Sequence, residues 1–266
     1  MAERIFGSLL GTMEVFTIYL GERLGLYAAL VEGPSTPGEL AARASIAERY
    51  AREWLEQQAV NGFLEVDDVA AAADARRNTL PPEHAEVLVD RDALTYLTPQ
   101  ARMSVAIAQQ MPALMSAYRS GGGVNWRDFG PDMSEGQELG NRPAFLAMME
   151  SWVPQGLPDV HERLSAGGRV ADVGCGGGWS SIAIAQAYEG VSVDGYDLDE
   201  PAVERARQKP RRTISPIGFG SMRSIRPRWT TARAMTSCAR SSASTTCRSP
   251  CPCCARCVRW RVTAAA

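Results

Sequence analysis

Apolar side chains recur three and four residues apart from the start of the chain: Leu9, Met13, Phe16, Leu20 and Leu24 share one face of a helical stretch over residues 4–31. The stripe is interrupted near Gly21, where a break is expected. The polar segment that follows holds Thr36 ahead of Pro37 and Glu39, which is N-cap chemistry with proline at the first helical position. From there the pattern predicts a short helix, a turn and a longer helix ending near Asn61 and Gly62, glycine supplying a left-handed cap. Two short alternating runs, "FLEVDD" and "AEVLVD", flank an Ala-rich loop and are expected to pair as a β-ribbon.

Three helices and a ribbon describe a winged-helix-like domain over residues 1–95, with "AERYAREWLEQQAV" in the place of a recognition helix. Residues 96–165 read as a helical connector or lid, interrupted at "RSGGGVNWRDFGPDMSEGQ". Its Met111, Met115, Met148 and Met149 are expected to fill core gaps or line an apolar pocket, and Trp126 and Phe129 to pack under the loop or belong to a lid. Beyond it, Val170, Ala171 and Val173 form a strand, Ile182, Ile184 and Ala185 mark a helix, and "VSVDGYD" is a second strand ending in Asp197. The fold class is therefore α/β, a helical domain followed by a Rossmann-like β-α-β unit.

Composition changes this picture in one place. The chain has 266 residues, 45% of them hydrophobic, enough for two domains with real cores. No run of 18 apolar residues is present, and the first residues carry acids where a signal peptide would be basic, so a soluble cytoplasmic protein without membrane partners is expected. Residues 1–210 hold seventeen cationic side chains against thirty acidic ones, which argues against a nucleic-acid partner, because a DNA-binding face must neutralise phosphate. A transcriptional regulator with a degenerate cofactor domain stays as the alternative. His84 and His161 are isolated, with no second ligand at metal-binding spacing, so no metal site is expected and both read as surface histidines.

The chemistry is concentrated in "ADVGCGGGWSSIAIA" and the strand after it. Glycines let backbone turn tightly and approach a ligand, the helix behind them offers free N–H groups, and an acid closing the second strand can accept both hydroxyls of a ribose. A dinucleotide fingerprint would read G-x-G-x-x-G, whereas here Asp172 stands two residues before Gly174-Cys175-Gly176-Gly177-Gly178. This resembles the D/E-x-G-x-G-x-G motif of class I S-adenosylmethionine-dependent methyltransferases. The resemblance implies S-adenosyl-L-methionine as cofactor, held by Asp172, Gly174, Cys175, Gly176, Gly178 and Asp197, with Leu198 beside the adenine. Asp172 would orient the methionine end and Asp197 the ribose. A winged-helix-like domain and a helical connector ahead of this motif resemble small-molecule methyltransferases of bacterial type, which implies a small-molecule acceptor and a homodimer through the N-terminal domain. No catalytic residue is assigned.

After Gln208 such an enzyme should continue with further strands alternating with helices. Residues 211–266 instead hold eleven Arg, six of the seven Cys and no Leu, Asp, Glu, Asn, Gln, Lys, His or Tyr. Of these 56 residues, 48 are Arg, Ser, Thr, Ala, Pro, Gly, Cys or Trp, all encoded with G or C at the second codon base. A GC-rich gene read one base late gives this composition. Restoring the frame forces Leu, Val or Met wherever the tail has Cys or Trp, and one allowed reading, "DDLVCAFECIHDMSQPVPVLRAMRAL", has the pattern of a strand and an amphipathic helix. Its histidine would be a candidate base in the parent enzyme. The domains expected are thus 1–95, 96–165, a first Rossmann half over 166–209 with two strands, and an out-of-frame, disordered tail over 210–266. The dense cysteines "CRSPCPCCARCVRW" are then neither a zinc site nor a disulfide knot.

Overall fold

The computed structural model describes residues 1–209 and 217–221, and the rest of the tail lies outside them. The chain divides into two compact units, Met1–Ala144 and the part from Phe145 onward.

The first unit begins with α1 (Ala2–Arg23), α2 (Leu26–Val31), α3 (Pro37–Ala44) and α4 (Glu48–Val60). The interruption expected near Gly21 comes at Leu24–Gly25, between α1 and α2, where Gly25 takes φ +70°, and Gly21 itself is helical. The glycine is buried within α1, and a Cβ there would collide with the Tyr27 and Trp54 rings, so its role is close packing and not interruption. Thr36 does cap α3: its Oγ1 accepts the Glu39 N–H at 3.3 Å while the Glu39 carboxylate accepts the Thr36 N–H at 2.9 Å. Gly62 takes φ +76° after α4, the left-handed turn expected there. The core gathers Leu26, Tyr27, Leu40, Trp54, Leu55 and Leu64. Within it the Tyr27 hydroxyl donates to Gln58 Oε1 at 2.5 Å and the Trp54 indole to the Thr17 carbonyl at 3.0 Å.

The β-ribbon exists with a different second strand. β1 (Glu65–Val66) pairs antiparallel with β2 (Asn78–Thr79), whereas "AEVLVD" lies mostly in α5 (Pro82–Leu88). Two physical facts decide this. Pro82 opens a helix at its first turn, and Asn78 is fixed by backbone hydrogen bonds to Ser35 in both directions. The unit continues with α6 (Thr98–Gln109), α7 (Met111–Ser120), a 3₁₀ turn at Trp126–Phe129 and the start of α8 (Gly130–Gly156). The Gly-rich interruption is therefore shorter than expected, because Pro131 onward is already helical. Met111 and Met115 are exposed on α7, against the core role expected of them, while Met149 is buried. Trp126 is also substantially exposed.

The second unit takes over within α8 and adds α9 (Pro158–Ser165), β3 (Gly168–Val173), α10 (Trp179–Ala187), β4 (Val191–Asp197), α11 (Glu200–Gln208) and β5 (Ile217–Ser221). The strands are parallel in the order β3-β4-β5, one half of a doubly wound sheet. The expectation of two strands is corrected: β5 forms within the segment read as out of frame, with Ile217 buried and Phe219 packed on the same core. The rest of the tail reading, including the cysteine cluster, falls outside the described residues. Leu164, Val170, Ile182, Ile184, Val191 and Val193 fill the core between sheet and helices. No helix of the described residues is long and apolar enough to cross a membrane.

Candidate functional site

Parallel pairing sets Val173 beside Tyr196, so β3 and β4 end together and deliver Asp172 and Asp197 to the same carboxyl edge. That edge is where open α/β sheets place ligands. The chain leaving β3 crosses the end of β4, the N–H groups of Gly174 and Cys175 both donating to the Tyr196 carbonyl at 2.7 and 3.2 Å.

Gly174, Gly176 and Gly178 take φ of +86°, +51° and +83°, a region that side chains with a Cβ rarely enter. Their surroundings differ. A Cβ on Gly174 or Gly176 would meet nothing within 4 Å, so both leave bare backbone facing open space. A Cβ on Gly178 would lie 2.7 Å from the Phe219 ring and 3.0 Å from Ala206, so this glycine serves close packing of the turn on β5 and α11.

The two acids are held differently. Asp197 accepts the Gly176 N–H on Oδ2 at 2.7 Å and the Asp199 N–H on Oδ1 at 2.8 Å, which ties the glycine loop to the end of β4. Each oxygen keeps a further lone-pair site for a ligand hydroxyl. Asp172 is buried, and its Oδ2 accepts from the hydroxyls of Ser180 and Ser181 at 2.6 and 2.7 Å. Both serines lie in the first turn of α10, whose N-terminal end favours negative charge. Leu198 follows Asp197 with 56% of its surface exposed, an apolar patch next to the carboxylate.

Cys175 is buried beneath the loop. Burial, then the nearby Asp172 and Asp197 charges, push its thiol up to about 12, so it is a small apolar filler and not a nucleophile. Lys209 donates its ammonium to the Gly177 carbonyl at 2.7 Å and lies over the Trp179 ring, 5.0 Å from its centroid. Neither the serine pair nor this lysine was legible beforehand, because nothing in linear spacing says that a helix's first turn reaches back to the strand before it.

The structure thus brings together all seven residues singled out in the sequence on one edge of the sheet. Among the described residues no group of three or more His, Cys, Asp or Glu is placed to hold a metal. His84 Nδ1 lies 3.0 Å from the Phe63 carbonyl and His161 Nδ1 lies 3.0 Å from the Tyr188 hydroxyl, so both have local structural partners. Chemically the edge offers two fixed carboxylates, exposed glycine backbone between them and the positive end of α10. That combination suits a ligand with vicinal hydroxyls, a cationic amino group and a carboxylate.

Residues 13–90 match the Rv2258c-like winged HTH domain family, and residues 170–239 match the methyltransferase domain family. The second match runs past the Lys209–Arg212 boundary where the composition changes. No curated protein matches the chain. Among solved structures, the mitomycin 7-O-methyltransferase MmcR is similar with a TM-score of 0.56 at 21% identity, covering 78% of this chain and 61% of that one. The structure of PigF with SAH gives 0.59 at 18% identity, over 83% of this chain and 66% of that one. At such identities the likeness establishes the fold, and the chain spans just under two thirds of either relative's length.

Proposed function

We propose that this chain, which joins a winged helix-turn-helix domain to a methyltransferase domain, derives from an enzyme transferring a methyl group from S-adenosyl-L-methionine to a small-molecule acceptor. The observation that carries the reading is the pairing of Asp172 and Asp197 across the positive-φ glycines at the ends of β3 and β4. On this reading Asp197 accepts the ribose hydroxyls, Leu198 covers the adenine, and Asp172 accepts the methionine ammonium. Gly174, Gly176 and Gly178 form the loop over the buried Cys175, and the bare backbone of the first two lets the cofactor approach. The cofactor supplies the electrophilic methyl; the protein's part is to orient it and exclude water, since methyl transfer needs an in-line approach.

The residues from about Lys209–Arg212 onward are, on the same proposal, translated from a shifted frame. The strands expected to complete the crevice are then missing from this chain, and cofactor binding weaker than micromolar follows. Equilibrium dialysis with S-adenosylhomocysteine at millimolar concentration tests the site. Saturable binding lost in Asp197→Asn is the expected result, and its absence from the parent chain sinks the cofactor reading. Micromolar binding by the chain as written would sink only the claim of an incomplete crevice.

A homodimer through the N-terminal domain belongs to the proposal. It is supported by the first half of α1, where Ile5, Phe6, Leu9, Leu10 and Met13 are all about half exposed. The regulator reading draws on the winged HTH match, but α4 alternates Glu48, Arg49, Arg52, Glu53 and Glu56, which leaves it without the basic face that phosphate contact requires.

A further inference from the structure

We propose that Ser180 and Ser181 are positioning residues for the amino-acid end of the cofactor, acting through Asp172. The inference rests on the S-adenosylmethionine reading of this edge. Serines in the first turn of a helix ordinarily bond their own neighbouring backbone. Here both reach away from α10 to the strand before it, and both donate to the same oxygen, Asp172 Oδ2, at 2.6 and 2.7 Å.

The consequence is asymmetry in a group that is otherwise symmetric. A free carboxylate rotates broadly about its last torsion and offers two equivalent oxygens. Two donors fill the two lone-pair sites of Oδ2, so the torsion is fixed and the free acceptor capacity is concentrated on Oδ1. A carboxylate locked this way accepts from one direction, which suits a single ammonium group. The environment agrees: Ser181 is 0% and Asp172 7% exposed, and the charge sits at the favourable end of α10. Burial of the Ser181 hydroxyl would be costly without this partner.

The test compares two ligands by equilibrium dialysis on the full chain: S-adenosylhomocysteine, which has the amino-acid end, and 5′-methylthioadenosine, which lacks it. Ser180→Ala/Ser181→Ala is expected to weaken the first roughly tenfold or more while changing the second less than about twofold. Ser180→Thr, which keeps the hydroxyl at the half-buried position, is expected to bind both as the parent does. Equal loss for the two ligands would mean a general structural role and overturn the proposal, and so would unchanged binding of the first. A parent chain that binds neither ligand overturns the cofactor reading together with it. If circular dichroism shows the double variant unfolded, Ser180→Ala alone decides, with a roughly threefold loss expected for S-adenosylhomocysteine only.

Discussion

Gly174 and Gly178 share nearly the same backbone angle, +86° and +83°, yet alanine should act on them differently. At position 178 the methyl group meets the Phe219 ring and Ala206, so strain and overpacking add and Gly178→Ala should lose about 2–4 kcal/mol in urea unfolding. At position 174 only the angle is strained, about 1 kcal/mol, while the methyl occupies the space a ligand must approach. Gly174→Ala is expected to fold and to bind poorly, and equal destabilisation of the two variants would contradict the division of roles. Cys175 makes a third residue-level case. With its thiol pushed up to about 12, roughly one molecule in ten thousand is thiolate at pH 8, and peptide mapping after iodoacetamide should find Cys175 unmodified in folded protein. The sign for stability follows. The folded thiol stays protonated while the unfolded one ionises near pH 9, so this group's contribution is complete below pH 9 and is lost between about 9 and 12. At this scale the sequence was most readable where chemistry is local. Asp172 and Asp197 could be read because a strand, a turn and a strand place them within one unit, whereas the serines' grip on Asp172 depends on a rotamer and a helix direction.

The elements of the first unit are joined by a charge cluster that no periodicity announces. Arg102 on α6 is 4% exposed and meets Glu135 at 2.6 Å and Asp132 at 3.1 Å on α8, with Glu22 of α1 at 3.6 Å. Tyr19 of α1 donates to Asp132 at 2.7 Å, and its hydroxyl is pushed above the ordinary phenol range, first by that bond and then by burial. Removing the guanidinium leaves the largely buried Glu22 and Asp132 and the partly exposed Glu135 near one another, with Arg23 at 3.8 Å from Asp132 as a remaining counter-charge. Arg102→Ala should therefore cost about 3–5 kcal/mol, measured by urea unfolding. Glu135→Gln, at a partly exposed site, should cost far less, about 1 kcal/mol. If the two losses are alike, the cluster is not what ties α1 and α8 to α6. The same scale explains which elements were misread. Hydrophobic spacing located α1, and the Thr36-Pro37-Glu39 start and the Asn61-Gly62 stop located α3 and α4. The wing's second strand was missed because Asn78–Thr79 is only two residues long and is selected by Ser35, 43 residues earlier, and not by alternation. The break expected near Gly21 falls at Gly25 for a related reason: a glycine that terminates a helix and one that admits two aromatic rings are the same letter.

For the whole molecule, the acid excess of residues 1–210 and the arginine-only charge of the tail are the contrast from which the change of frame is proposed. The apolar half of α1 gives the first consequence to check. If it seats a second copy, Leu9→Arg should shift the chain from dimer to monomer in analytical ultracentrifugation without altering its helicity, because Leu9 makes no core contact that the substitution would break. A dimer indifferent to that change would place the interface elsewhere. The second consequence concerns the tail. The described strand Ile217–Ser221 requires only an apolar residue at alternate positions and little steric bulk, and Ile-Gly-Phe-Gly-Ser meets that requirement whatever its coding origin. Its presence extends the ordered sheet beyond the boundary the sequence suggested, and the methyltransferase-domain match reaches residue 239, so both lie across the proposed change of frame. The nucleotide sequence decides the matter. A single-base gain or loss near codons 208–213, with an open frame downstream that encodes an apolar strand followed by an amphipathic helix, is the expected result. The restored chain should then bind S-adenosylhomocysteine at micromolar concentration where the present one does not. An uninterrupted frame through codon 266 would instead make the tail genuine, and its six cysteines would regain their claim to chemistry.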